Sequence, residues 1–274
     1  MFREMPLIGL IAGNRSFPIH AARSAKSQGF QVVAVGLKEE TDPALEGEVD
    51  RMFWVSFSEI GRVPELLKQA GVKEVLLAGQ IRPERLLGDP KKMDGVVRQL
   101  MRLMPDFSGT SAMKMAVRYL EAQGFRVLHS GTFLKSWIPG PGVLTRRQPT
   151  PEEREDLQFG LKIALQMAGW RVGQTVVVRR KTVAAIEALE GTDETIRRGG
   201  LLAGPGCVVA KACEAEHDMR FDIPVVGLET IKVMREAGAA CLGIEAGRVL
   251  LFNRTELLEE ADLSGLSVVA VGAG

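Results

Sequence analysis

The feature that most constrains this chain of 274 residues is the alternation, over its first eighty residues, of short apolar runs with segments of helical period. Leu7–Ala12 (LIGLIA) reads as a strand, Gly13-Asn14-Arg15-Ser16 as a turn, and 17–28 as an amphipathic helix closed by Gly29. Gln31–Leu37 (QVVAVGL) is a second strand, and 51–57 alternates weakly like a third. Residues 63–70 are helical and stopped by Gly71, and Glu74–Ala78 (EVLLA) is a fourth strand. Strands separated by helices at this spacing pair in parallel, with helices covering both faces of the sheet. The expected class is therefore α/β, with a Rossmann-like N-terminal domain.

Two further helices, 93–104 and 111–122, precede a strand at 126–129. The run Trp137-Ile138-Pro139-Gly140-Pro141-Gly142 then holds too much proline and glycine to continue any element. A domain boundary is expected near residue 140, giving domains 1–138 and 143–274. Beyond it, Thr150-Pro151-Glu152-Glu153 is a helix start, with a capping threonine, an early proline and acids at the positive dipole end. Strands are expected near 175–178, 207–211, 241–244, 249–252 and 267–271, with helices near 151–168, 229–237 and 256–260. The second domain is α/β again, in a less regular order.

Composition narrows the function. Lysine plus arginine (35) nearly equals aspartate plus glutamate (34), which argues against a nucleic-acid protein working through a basic face. No uncharged apolar run approaches the ~20 residues of a membrane-spanning helix, and the N-terminus lacks the plan of a cleavable signal. Three cysteines without a CxxC pair suit a reducing cytoplasm, and three scattered histidines disfavour imidazole-bound metals. Any metal chemistry falls to carboxylates.

Four stretches could carry chemistry. The turn at Gly13 presents backbone N–H groups to an anion, but Arg15 stands where GxGxxG would have a second glycine, so a nicotinamide cofactor is not expected. Glu190-Gly191-Thr192-Asp193-Glu194, followed by Arg197 and Arg198, reads either as an acidic first turn of a short helix or as an aspartate with two phosphate-facing arginines. Lys211 precedes His217-Asp218-Met219-Arg220-Phe221-Asp222-Ile223-Pro224, which Pro224 biases toward extended backbone. Asp218, Arg220 and Asp222 would then share a face, either to hold a hard cation and an anionic substrate or simply to neutralise one another on a solvated strand. Finally, Met93, Met101, Met104, Met113 and Met115 lie on helical spacing with Val96, Val97, Leu100 and Leu103. They form either plain core or an adaptable surface for acyl chains.

In the same order, Ala12-Gly13 with Phe17-Pro18, Leu77-Ala78-Gly79-Gln80 with Arg82-Pro83, and Glu190–Asp193 with Ile196-Arg197-Arg198 resemble the LpxI-type UDP-2,3-diacylglucosamine pyrophosphatases. Asp218–Gly227 with Glu229-Thr230-Ile231 extends the resemblance along nearly the whole chain. It implies a magnesium-dependent hydrolase of lipid A biosynthesis in Gram-negative bacteria, cleaving UDP-2,3-diacylglucosamine to UMP and 2,3-diacylglucosamine 1-phosphate (lipid X). It also implies a lipid ligand between the two domains and an essential aspartate in the C-terminal one, by motif Asp222 or Asp218. Arg15 departs from the family, which has a glycine in that loop. With the chemistry of a phosphoanhydride in mind, Asp222 and Asp218 are the expected magnesium ligands, and Asp193 a third ligand or water-orienting base. Arg220, Arg197 and Lys211 are the expected phosphate contacts, and Thr192, Gly13, Gly79 and Gln80 complete the substrate-binding set. A peripheral contact with the inner membrane and a homodimer stay open. The rival reading is a non-catalytic sugar-nucleotide or acyl-lipid binding protein. A nucleotide-dependent oxidoreductase is weakened by Arg15.

Overall fold

The computed structural model describes residues 5–79, 81–82, 94–104, 109–213, 218–220 and 223–272. They divide into two units: Met1–Leu134 with Asp218–Asp222, and Lys135–His217 with Ile223–Gly274.

The first unit holds five parallel strands: β1 (Leu7–Ala12), β2 (Gln31–Leu37), β3 (Arg51–Val55), β4 (Glu74–Ala78) and β5 (Arg126–Val127). Their order, β3-β2-β1-β4-β5, is that of a doubly wound sheet, reversing direction between β1 and β4. Because successive side chains point to opposite faces, each apolar run feeds two cores. Val33, Val35, Val75 and Leu77 pack with Leu67, Val117 and Leu120 on one side. Ile8, Leu10, Val32 and Ala34 pack with Ala21, Ala22 and Ala25 on the other. The helices are α1 (Phe17–Ser27), α2 (Val63–Gln69), α3 (Gly95–Leu103) and α4 (Gly109–Ala122). Asp94 caps α3, accepting a hydrogen bond from the Val97 N–H at 2.8 Å.

The turns after β1 and β4 meet at Gly79. Its φ of +87° lies in the left-handed region, and a Cβ there would stand 2.5 Å from the Asn14 carbonyl oxygen. The Gly13 N–H donates to the Ala78 carbonyl at 2.8 Å across the same junction. Gly79→Ala therefore meets both a steric clash and a disfavoured φ, and is expected to cost about 2–4 kcal/mol of stability, readable by denaturant unfolding. A loss under ~0.5 kcal/mol, the usual range of a surface substitution, would contradict the close approach. Arg15 also adopts a left-handed φ of +64°.

The second unit is built on a six-stranded mixed sheet. Its strands are β6 (Gly142–Val143), β7 (Thr175–Arg179), β8 (Thr182–Ile186), β9 (Val208–Lys211), β11 (Cys241–Glu245) and β13 (Ser267–Val271), in the order β6-β13-β11-β9-β7-β8. The central β13, β11 and β9 are parallel, and β7, β8 and β6 pair antiparallel. A separate parallel pair joins β10 (Val225–Val226) to β12 (Leu250–Leu251). Helix α5 (Pro151–Gly169) begins with the Thr150–Glu153 capping box and lays Leu157, Leu161 and Ala164 on one face of the sheet. Helices α6 (Thr192–Ala203), α7 (Leu228–Glu236) and α8 (Arg254–Leu263) bring Ile196, Ile231 and Leu257 to the core on the other.

Candidate functional site

In the second unit the polar groups gather at the start of α6. Lys211, the last residue of β9, is only 6% exposed, and its Nζ donates to Thr192 Oγ1 at 2.8 Å. Thr192 in turn donates to Glu187 Oε1 at 3.0 Å and lies 3.3 Å from the Thr175 hydroxyl. The next residue, Asp193, accepts a hydrogen bond from the Thr230 hydroxyl at 2.9 Å. Its second oxygen has no hydrogen-bond partner among the described residues. Thr230 sits in the first turn of α7, so this bond joins two helix N-termini. Both helices start at a glycine, Gly191 and Gly227, so no N-cap side chain takes up the first-turn N–H groups at the positive ends of the dipoles. A buried ammonium beside two such ends suits phosphate oxygens.

Lys211, Thr192 and Asp193 are thus brought together, and Thr230 joins them. Sequence reasoning quoted Thr230 within a motif but assigned it no role. Arg197 stands apart from this group, with its guanidinium 2.5 Å from Glu194 one helical turn back. Arg198 is held by Glu190, which lowers that carboxyl's pKa together with the Glu190 backbone N–H.

The Asp218 segment groups with the first unit. It is a turn at Met219–Arg220, not the extended strand that would set alternate side chains on one face. The reason is local. Asp218 Oδ1 accepts from the Arg220 backbone N–H at 3.1 Å and from Nε at 2.8 Å, while Oδ2 accepts from Nη2 at 2.7 Å. An aspartate bonding the backbone two residues on is a turn former, and the guanidinium fork completes the closure. The Arg220 side chain holds the Asp218 carboxyl below the usual carboxylate range, and Arg220 is raised in return. Arg220 Nη1 also donates to Glu121 Oε1 at 2.6 Å. Both oxygens of Asp218 are therefore engaged by Arg220. Asp222, His217 and Gln80 lie outside the described residues.

The first unit contains an apolar cavity of about 100 Å³ at the carboxyl ends of β1, β2 and β4. This is the crevice where the strand order reverses and where α/β sheets bind ligands. Ile11, Leu37, Leu77, Leu100, Met113 and Leu120 form much of its wall, and Tyr119 is the one lining residue with a polar side chain. Burial, with a smaller contribution from Asp94, raises the Tyr119 pKa. Gly13 and Gly79 belong to this wall. Of the methionine stripe, Met113 lines the cavity; Met101, Met104 and Met115 are half-buried and do not line it, and Met93 lies outside the described residues. Beside Gly13, Asn14 Nδ2 and Arg82 Nε donate to the fully buried Glu40 carboxylate at 3.2 and 3.0 Å, a cluster no local pattern announces.

A doubly wound unit with an apolar crevice, and a second α/β unit with a buried polar cluster, define a two-part α/β protein. Family comparison narrows this further: residues 7–137 match the LpxI N-terminal domain and residues 140–269 the LpxI C-terminal domain, so the chain belongs to the LpxI family. It is 28% identical over 276 residues to the UDP-2,3-diacylglucosamine pyrophosphatase LpxI of Caulobacter vibrioides, covering 97% of this chain and 98% of that protein. Among solved structures, the biotin carboxylase domain of Hydrogenobacter thermophilus 2-oxoglutarate carboxylase is 11% identical with a TM-score of 0.28. That match covers 66% of this chain and 36% of the other.

Proposed function

We propose that this chain hydrolyses the diphosphate of UDP-2,3-diacylglucosamine to UMP and 2,3-diacylglucosamine 1-phosphate, as a step in lipid A biosynthesis. The observation that carries this reading is the chemistry of the crevice between β1 and β4. A dinucleotide bound there needs donors for its phosphates, whereas this wall is hydrocarbon apart from Tyr119, and hydrocarbon favours an acyl chain. In the second unit, taken by itself, Lys211 and the first turns of α6 and α7 offer donors suited to phosphate oxygens. The Caulobacter relative's name supports the same substrate.

The polar cluster also fits a magnesium ion. Asp193 puts a carboxylate in the first turn of α6, and Glu187 bonds Thr192 beside it. A diphosphate approaching these two acids needs a cation to offset the repulsion. Magnesium keeps several waters and takes one or two carboxylates, and the unpartnered oxygen of Asp193 meets that demand. Among the described residues no group of three or more acidic, cysteine or histidine side chains is arranged to hold a metal. Asp222 is, by its motif, a proposed magnesium ligand. Asp218 serves to hold Arg220. Bound magnesium would neutralise the diphosphate and polarise the attacked phosphorus. No described helix is long and apolar enough to cross a membrane. Because a diacylated substrate resides in a lipid surface, we place the work at the cytoplasmic face of the inner membrane.

The test is UMP release from UDP-2,3-diacylglucosamine in detergent micelles by the purified chain. We expect turnover with magnesium and its loss in excess EDTA. Substrate binding without UMP would favour a lipid-binding protein, and full activity in EDTA would remove the metal.

A further inference from the structure

We infer that Ser130 is a positioning residue of this enzyme, an inference that rests on the proposed hydrolysis: its hydroxyl ties the Asp218–Arg220 turn to the strand end that walls the apolar cavity. Ser130 is only 2% exposed, and it follows β5 at the carboxyl edge of the first sheet. Its N–H donates to the Met219 carbonyl at 2.8 Å. Its Oγ lies 2.9 Å from the Arg220 carbonyl and 3.0 Å from the Leu77 carbonyl, and Leu77 lines the cavity. One hydroxyl proton is therefore shared between two carbonyls that come from segments far apart in the chain.

The turn has a second tie, Arg220 to Glu121 on α4, the helix that also presents Met113, Ala116 and Leu120 to the cavity. That ion pair is 37% and 45% exposed, and exposed pairs constrain little. The hydroxyl, on a residue only 2% exposed, is the stiffer connection, because without it both carbonyls lose the side-chain donor that the described residues give them. Ser130 touches neither the proposed acyl chain nor the phosphates. It acts through Arg220, whose backbone it holds and whose guanidinium Asp218 then orients.

The full chain carrying Ser130→Ala tests this with two readouts. Amide hydrogen exchange followed by mass spectrometry should rise about tenfold in peptides covering Asp218–Arg220, with β1 and β2 unchanged. The kcat for UMP release should fall about tenfold, with KM moving less than twofold. Ser130→Cys keeps a weak donor and guards against failure to fold; it should lie between wild type and alanine on both measures. Wild-type exchange in the turn, a rise spread evenly over the whole unit, or an unchanged kcat would each overturn the role. Absence of UMP release from the wild-type chain would refute the proposed hydrolysis, while the exchange data would still judge the tie itself.

Discussion

Replacing Lys211 with methionine is expected to lower kcat at least about 100-fold, the scale of losing a charged contact to a developing phosphate charge. The side chain is buried at the end of β9, in register with Thr175 on β7 and Ile244 on β11, so its stem is fixed by the sheet. Its ammonium reaches the first residue of α6, beside N–H groups that no side chain caps. Methionine fills nearly the same volume and removes the charge. Thr192 keeps Glu187 and Thr175 as partners, so the local fold survives. A 100-fold loss corresponds to about 2.7 kcal/mol of transition-state stabilisation. If the ammonium were only a structural strut, the melting temperature would drop while kcat held. Measuring kcat and thermal unfolding on one preparation separates the two outcomes.

The two aspartates of the 218–222 segment should behave differently. Asp222→Ala is expected to lose at least about 100-fold in kcat while keeping the fold and some lipid binding, as a proposed metal ligand should. Asp218→Ala should lose less, because both Asp218 oxygens already serve Arg220. Its signature lies in pH. A carboxyl held below its ordinary value by an adjacent guanidinium adds stability that is present above the unfolded value, 3.8, and lost as pH falls through the folded one. Asp218→Ala should therefore be less stable than wild type at neutral pH, and the difference should close in acid. An active Asp222→Ala enzyme would remove that residue from the site. Equal kcat losses in both variants would make Asp218 more than a holder of Arg220.

How far these assignments could be read in advance depends on whether the deciding contact is local. The strands of the first unit were legible because each apolar run must be covered on both faces, and that demand leaves its mark at every residue from Leu7 to Ala12 and from Gln31 to Leu37. The start of α5 was legible because the Thr150–Glu153 box spans four residues. Lys211, Thr192 and Asp193 were nominated as site residues by type and motif.

Strand β8 was not legible. Its hairpin turn, Arg180-Lys181, puts both residues at positive φ, 50° and 56°, where Asn-Gly would be the sequence signal. Asp156, on α5, supplies what the turn residues lack: its carboxylate accepts both of their N–H groups, at 2.7 and 2.6 Å. Gly199 and Gly200 sit inside α6, where any Cβ would collide with Val177 or Ala237. The apolar crevice and the Ser130 tie follow the same rule, for their parts lie tens of residues apart. Sequence alone determined the α/β class and the first sheet, because periodicity and capping act between near neighbours. Tertiary structure decided the Asp156-stabilised hairpin, the joining of Thr230 to Asp193 and the wall of the crevice, because each needs a bond or contact between side chains that only folding brings within reach.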